Sequence, residues 1–202
     1  MAYGTDLKNS VLTIDRPLAL PSVGVRTMAT VAAIAGAVLV PEVFHALGAA
    51  LGLGTALGRV FLPMYLPVAL VGFLAGPIPG VVTGLLGPCM SFLISGMPTA
   101  SGLPLMMVEL ACYGLAAGLL RRAKMSLLAK VLLVQATWLV ASIVATCALG
   151  AIAGNGIDVV ASVSTAVLAL AYGIPGIALQ WVLLPLVTSK VGQASSLEED
   201  VR

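Results

Sequence analysis

Six apolar stretches, each close to the length of a transmembrane helix, constrain the fold of this 202-residue chain more than any other feature. A helix needs about 20 apolar residues to cross a bilayer. Only 9% of the residues are charged, against roughly 25% in a soluble domain. The sequence therefore predicts an all-α membrane protein with six transmembrane helices, placed near residues 27–47, 60–76, 80–95, 103–120, 127–153 and 159–188.

The positions of the basic residues predict the orientation of these helices. Loops on the cytoplasmic side of a membrane protein carry an excess of Lys and Arg. If both termini are cytoplasmic, a single basic residue, Arg59, lies outside, and those inside are Lys8, Arg16, Arg26, Arg121, Arg122, Lys124, Lys130, Lys190 and Arg202. We therefore expect a cytoplasmic segment at 1–26, one transmembrane domain at 27–190, and a cytoplasmic tail at 191–202 in a plasma membrane protein.

Helix-breaking residues concentrate in the stretch Leu62–Leu120. Seven of the twelve prolines lie between Pro63 and Pro104. A membrane helix tolerates proline where a cavity or a neighbouring helix satisfies the freed backbone groups. We expect a tight hairpin or a break at Gly76–Gly80, and a flexible loop at Gly48–Gly58. The segment Gly96–Gly102 has the composition of a mobile lid.

The strongest candidate for function is Glu109, because a carboxylate inside a membrane is costly and usually marks a functional site. Tyr113 lies one turn further along the same predicted helix face. The two side chains either hold a ligand or bond to each other and to a neighbouring helix. The predicted topology collects further candidates for substrate binding toward the outer side, namely Tyr65, His45, Met97, Asn155 and Asp158.

Small residues form a stripe on the first helix, at Ala29, Ala33 and Ala37. Small side chains at this spacing let another helix approach closely within a membrane. The stripe packs either on the protein's own helices or on a partner protein.

Several classes of protein are disfavoured by what the sequence lacks. A formal net charge of +2 is too small to indicate nucleic-acid binding. The three cysteines, Cys89, Cys112 and Cys147, have neither disulfide-framework nor metal-site spacing. No nucleotide-binding loop and no hydrolase or metalloprotease motif is present. We therefore expect no cofactor, no metal and no ATPase activity of the chain's own.

These residues resemble the substrate-binding S-components of energy-coupling factor (ECF) vitamin transporters. The resemblance rests on the LPxxLPVxLVGFLAGPxxGxVxGLLGP run at Leu62–Pro88, on GMP at Gly96–Pro98, and on PLMMVELACYGLAAGLL at Pro104–Leu120. It implies a prokaryotic membrane subunit that captures a vitamin or related micronutrient from outside and docks on a coupling subunit driven by two cytoplasmic ATPases.

The resemblance also implies roles for particular residues. The docking residues would be Ala29, Ala33 and Ala37. The substrate would lie near Glu109, Tyr113, the Gly96–Gly102 segment, and Asn155 with Asp158.

Two other functions remain open from the sequence. One is a small intramembrane enzyme that uses Glu109 and His45 on a lipid-soluble substrate. The other is a structural membrane subunit without a ligand, which a solidly packed outer region would favour.

Overall fold

The computed structural model of the chain describes residues 20–54 and 56–200, in which every regular element is helical. Helices satisfy all their backbone hydrogen bonds internally, which a lipid environment demands. Six helical segments are long and apolar enough to span a membrane, so the predicted all-α class and number of spans are confirmed. The helices are α1 (Val23–Ala50), α2 (Ala56–Phe61), α3 (Tyr65–Ala75), α4 (Pro77–Ser95), α5 (Leu103–Leu120), α6 (Leu127–Ile152) and α7 (Val159–Asp200).

The helix ends follow local signals in the sequence. The hydroxyls of Ser22 and Ser126 accept hydrogen bonds from backbone N–H groups in the first turns of α1 and α6. The helix α1 begins before the predicted residue 27, and the backbone of α7 continues past residue 190, where we expected the tail to begin. Lys8, Arg16 and Arg202 lie outside the described residues, so the cytoplasmic position of the termini stays a prediction.

The glycine-rich stretch that we expected to be a flexible loop is helical at both of its ends. The helix α1 runs to Ala50 and α2 starts at Ala56. Gly48 is buried inside α1, where a side chain would collide with the backbone of Gly54. The loop is therefore shorter than expected. Gly48 and Gly58 serve close packing, whereas Gly52 and Gly54 lie in the connection between α1 and α2, with positive φ values and open space around them. The flexibility of this connection stays a prediction.

The closest helix crossing joins α4 to α5. A Cβ atom on Gly80 would lie within 3.0 Å of Gly114 backbone atoms, and one on Gly84 would meet the backbone of Leu110 in the same way. Close approach of this kind through small residues is a principal way in which helices associate in lipid. The crossing fixes α5, and with it Glu109, against α4.

Basic side chains close one end of the bundle. Helix α3 connects to α4 through Gly76 alone, whose φ of 105° suits glycine. The terminal carbonyl groups of α3 accept hydrogen bonds from two arginines: Arg26 Nε bonds Ala75 O at 3.0 Å, and Arg121 Nε bonds Phe73 O at 3.1 Å. Positive charge here also complements the negative end of the helix dipole.

Arg121 is enclosed in this cluster, and Lys130 Nζ donates to its carbonyl oxygen at 3.2 Å. Burial lowers the pKa of the Arg121 guanidinium, and the nearby charges of Arg122 and Arg26 lower it further. Arginine nevertheless keeps its charge at physiological pH. Arg121 therefore acts as a permanent cation that anchors the end of α3.

We expect Arg121→Met to lower the stability of the protein by about 1–3 kcal/mol, because carbonyl groups of Phe73 and Leu74 lose a buried donor. Thermal unfolding in detergent measures the effect. The matched control is Arg122→Met, since Arg122 is exposed. Equal losses in the two variants would contradict the anchoring role.

The alanine stripe of α1 turns partly into the bundle. Ala37 is fully buried, and its Cβ faces Gly87 of α4. The docking role expected for Ala37 is therefore corrected to internal packing. Ala29 and Ala33 are half-buried, so docking through these two stays a prediction.

Candidate functional site

A cavity of about 370 Å³ lies at the end of the bundle away from Arg26 and Arg121. Its size falls within the range of small-molecule sites, roughly 300–1,000 Å³. The walls are mostly apolar, and the polar or charged groups that reach the cavity are few: His45, Arg59, Tyr65, Ser91, Thr99, Glu109, Trp138 and Tyr172. The arrangement suits a compact molecule held by apolar contact and oriented by a small number of polar groups.

A break in the second membrane span forms part of the cavity wall. Helix α2 ends at Phe61, Leu62 has a φ of 47°, and α3 begins at Tyr65. Pro63 contributes to the break because proline has no backbone N–H. Residues 62–65 all line the cavity, so the irregular backbone lies where a membrane protein can tolerate it.

Glycines of α7 make room for this break. A side chain on Gly176 would collide with the backbone of Phe61, and a Cβ on Gly173 would lie 2.7 Å from the Leu62 side chain. The helix α7 can therefore pack directly against the irregular segment. The density of prolines predicts helix breaks in this region but does not place one between Phe61 and Tyr65.

The centre of the site is a hydrogen bond between Glu109 of α5 and Tyr65 of α3. The Tyr65 hydroxyl donates to Glu109 Oε2 at 2.9 Å. Glu109 is only 9% exposed. Among residues 20–54 and 56–200, no basic side chain forms an ion pair with it. The carboxylate therefore has capacity left for a further donor at the cavity.

Aromatic rings hold Tyr65 in place. The ring of Trp138 lies 5.9 Å from that of Tyr65, and the ring of Tyr113 lies 5.2 Å from it, both edge to face. This geometry is the favourable one for aromatic pairs. The indole nitrogen of Trp138 is buried and has no hydrogen-bond partner within the described residues.

Tyr113 takes a different place from the one expected. It is 1% exposed, does not line the cavity, and its hydroxyl donates to Gln180 Oε1 of α7. Nearby, Trp181 Nε1 donates to Gln135 Oε1 at 2.9 Å. Tyr113 therefore belongs to a polar layer that joins α5, α6 and α7 beneath the cavity, which corrects its expected contact with substrate.

Asn155 and Asp158 also lie away from the cavity. Both are exposed in the connection between α6 and α7. The Asp158 carboxylate accepts the backbone N–H of Ala161 at 2.9 Å and so caps α7. The expectation that these two residues line the substrate site is corrected, because Asp158 serves the helix end.

His45 and Met97 do line the cavity. His45 belongs to α1 and packs against Gly58, where a Cβ would lie 2.8 Å from its Nε2 atom. Met97 belongs to the connection between α4 and α5, together with Pro98 and Thr99. That connection follows Gly96, whose φ of 72° ends α4. The predicted mobility of this segment as a lid stays a prediction.

Arg59 and Trp138 line the site but were not among the residues predicted for it. A signal for Arg59 was present, since it is the one basic residue on the predicted outer side. Trp138 carries no such signal, because a tryptophan in a membrane helix is ordinary. Within the described residues, no group of three His, Cys, Asp or Glu side chains is placed to hold a metal ion.

No family model, no curated protein and no solved structure matches this chain.

Proposed function

We propose that the protein is the substrate-binding membrane subunit of an ECF-type importer for a vitamin or related micronutrient. The observation that carries the proposal is the apolar cavity with the carboxylate of Glu109 in its wall, which accepts a hydrogen bond from Tyr65 but forms no ion pair within the described residues. A bundle packed solid at this end would have favoured a structural subunit without a ligand. An open cavity with a few convergent polar groups favours ligand binding.

The lining of the cavity supports a particular ligand chemistry. The thioethers of Met64, Met97 and Met106 and the rings of Tyr65 and Trp138 line the cavity and offer soft apolar contact to a ring. Glu109 accepts a hydrogen bond from an amine, an amidine or a ring N–H group. The proposed ligand is therefore a compact ring compound that carries a donor group, cationic in the strongest case.

Transport by this chain requires partners. The sequence has no nucleotide-binding motif, so the energy would come from a coupling subunit and two cytoplasmic ATPases. The basic end of the bundle, at Arg26 and Arg121, would face the cytoplasm by the positive-inside rule. The cavity at the other end would then open to the outside of a prokaryotic plasma membrane, as capture of an external nutrient requires.

The test is a ligand screen on the purified protein. A panel of vitamins and their precursors is scored by thermal shift, and each positive compound is measured by calorimetry on the wild type and on Glu109→Gln. The proposal expects at least one compound that stabilises the wild type and loses affinity in the variant. Absence of any ligand, together with no ATPase or coupling subunit recovered by pull-down from the native host, would refute it.

The docking surface gives a separate prediction. We expect Ala33→Trp to prevent co-purification with the coupling subunit while ligand binding stays intact, because Ala33 is partly exposed on α1. The control is Val31→Trp on the exposed side of the same helix. Loss of ligand binding and of partner binding together in Ala33→Trp would show that this position serves internal packing.

An enzyme remains the second candidate, since His45 and Glu109 line the same cavity. Proton transfer would require hydrogen-bond reach through a substrate or a water. His45→Gln separates the two functions. Turnover of a lipid-soluble substrate that disappears in His45→Gln would favour the enzyme, whereas unchanged ligand affinity without turnover favours the importer subunit.

A further inference from the structure

Arg59 is a cation at the mouth of the cavity that contains Glu109. It belongs to α2, it is exposed, and it lines the cavity together with the exposed Tyr172. The same two side chains also line an adjoining cavity of about 360 Å³. Arg59 therefore lies between the cavity and the exposed surface of the bundle.

No acidic side chain within residues 20–54 and 56–188 forms an ion pair with Arg59. Glu109 is bound by Tyr65, and Asp158 caps α7. The third acid within residues 20–188, Glu42 of α1, does not line the cavity. His45 is the other basic group at the mouth. The cavity therefore presents an unneutralised cation at its exposed side and an unneutralised anion at its buried side.

We infer that the ligand carries two opposite charges: a cationic donor group bound by Glu109 and an anionic group, carboxylate or phosphate, bound by Arg59. This inference rests on the proposed function, which assigns a small molecule to the cavity. The guanidinium is planar and presents paired donors to either anion. The apolar walls between the two charged residues receive the ring of the ligand.

A lipid headgroup could supply the same anionic chemistry, because Arg59 is exposed. Phospholipid phosphate and ligand carboxylate would compete for the same donors. A ligand bound at both ends gains specificity that a lipid does not, since only the ligand also reaches Glu109. The experiment therefore compares the protein in a maltoside detergent, which carries no phosphate, with the protein in phosphatidylglycerol nanodiscs.

The test uses four probes of one shape. They are para-aminomethylbenzoate, which carries both charges, para-methylbenzylamine with the positive charge alone, para-methylbenzoate with the negative charge alone, and the neutral para-methylbenzyl alcohol. Affinities are measured by ligand-observed NMR for the wild type, for Arg59→Gln and for Lys124→Gln. Lys124 is an exposed cation in the connection between α5 and α6, at the opposite end of the bundle, and serves as the matched control.

We expect para-aminomethylbenzoate to bind the wild type about tenfold more tightly than para-methylbenzylamine, as one charged hydrogen bond would give. Arg59→Gln should remove this gain and leave the affinity of para-methylbenzylamine unchanged. Lys124→Gln should change neither value.

Other outcomes separate the two proposals. Equal affinities of the two amines for the wild type would overturn the role of Arg59 and leave the role of Glu109 standing. Tighter binding of para-aminomethylbenzoate than of para-methylbenzylamine in detergent, but not in phosphatidylglycerol nanodiscs, would also overturn the role of Arg59. It would show that Arg59 binds a lipid headgroup. No detectable binding of either amine would contradict the ligand chemistry proposed for Glu109 itself.

Discussion

Glu109→Gln is expected to weaken the binding of an amine-bearing ligand by about a hundredfold. Truncating one partner of a buried charge pair costs about 2–5 kcal/mol of binding free energy. Each loss of about 1.4 kcal/mol weakens the affinity tenfold. Glutamine keeps the length of the side chain and can still accept the hydrogen bond of Tyr65. The loss therefore reports the charge of the carboxylate rather than a change in its position. Calorimetry with para-aminomethylbenzoate measures it.

Two variants serve as controls for Glu109→Gln. Glu42→Gln removes another carboxylate from a membrane helix, but Glu42 does not line the cavity, so binding should not change. Tyr65→Phe removes one hydrogen bond to Glu109 and should weaken binding by about tenfold or less. A loss in Glu42→Gln as large as in Glu109→Gln would point to general damage of the bundle.

Gly114→Val is expected to destabilise the protein by more than about 3 kcal/mol, at the upper end of the cost of overpacking. A Cβ atom on Gly114 would lie within 3.0 Å of the backbone of Gly80, so α4 and α5 would have to move apart. No rotamer relieves this clash, because its partner is main chain. Unfolding in detergent, followed by circular dichroism against temperature, provides the measurement.

The matched control for Gly114→Val is Gly24→Ala. Gly24 lies in the first turn of α1, and a Cβ atom at this position would have nothing within 4 Å of it. Alanine has the better helix propensity, so this change should be neutral or slightly stabilising. If Gly114→Val retains the wild-type unfolding temperature, α4 and α5 do not cross at the close distance that their glycines indicate.

The membrane spans could be predicted because one physical requirement decides them. A stretch that is apolar over the thickness of a bilayer must form a helix there, whatever its neighbours are. Five of the predicted ends, at residues 95, 103, 120, 127 and 159, agree with the ends of helices α4, α5, α6 and α7. The break between α2 and α3 depends on how Phe61 and Leu62 meet α7, which is tertiary information.

The glycines of α4 and α5 also show that the sequence does not reveal which helices pack against each other. The spacing of Gly80 with Gly84, and of Gly114 with Gly118, matches the small-residue pattern of close helix pairs. This signal was present in the sequence and indicates an interface. It does not say which helix lies opposite, and the structure supplies that by pairing α4 with α5.

Part of the site could be predicted because the high free-energy cost of a carboxylate inside a membrane indicates a functional residue. Glu109 could be predicted as a site residue because a carboxylate inside a membrane is costly. The structure places Tyr65 beside it, within hydrogen-bond distance. Tyr113 shares the helix face of Glu109, but one turn along α5 the neighbour is Gln180 instead of the cavity. Sequence spacing gives the face of a helix, and only packing decides what that face meets.

The short helix α2 is the part of the bundle least held by burial, since none of its residues is buried. Its neighbour α3 is anchored at the far end through Arg26 and Arg121. Segments with few buried contacts open at the lowest free energy. Ligand entry would therefore involve a movement of α2 about Leu62, while Tyr65 and Glu109 keep their positions. Amide hydrogen exchange should accordingly be faster in α2 than in α3. Arg59, which attracts the anionic group of the ligand, would then move with α2. Glu109, which binds the cationic group, would keep its position in the bundle.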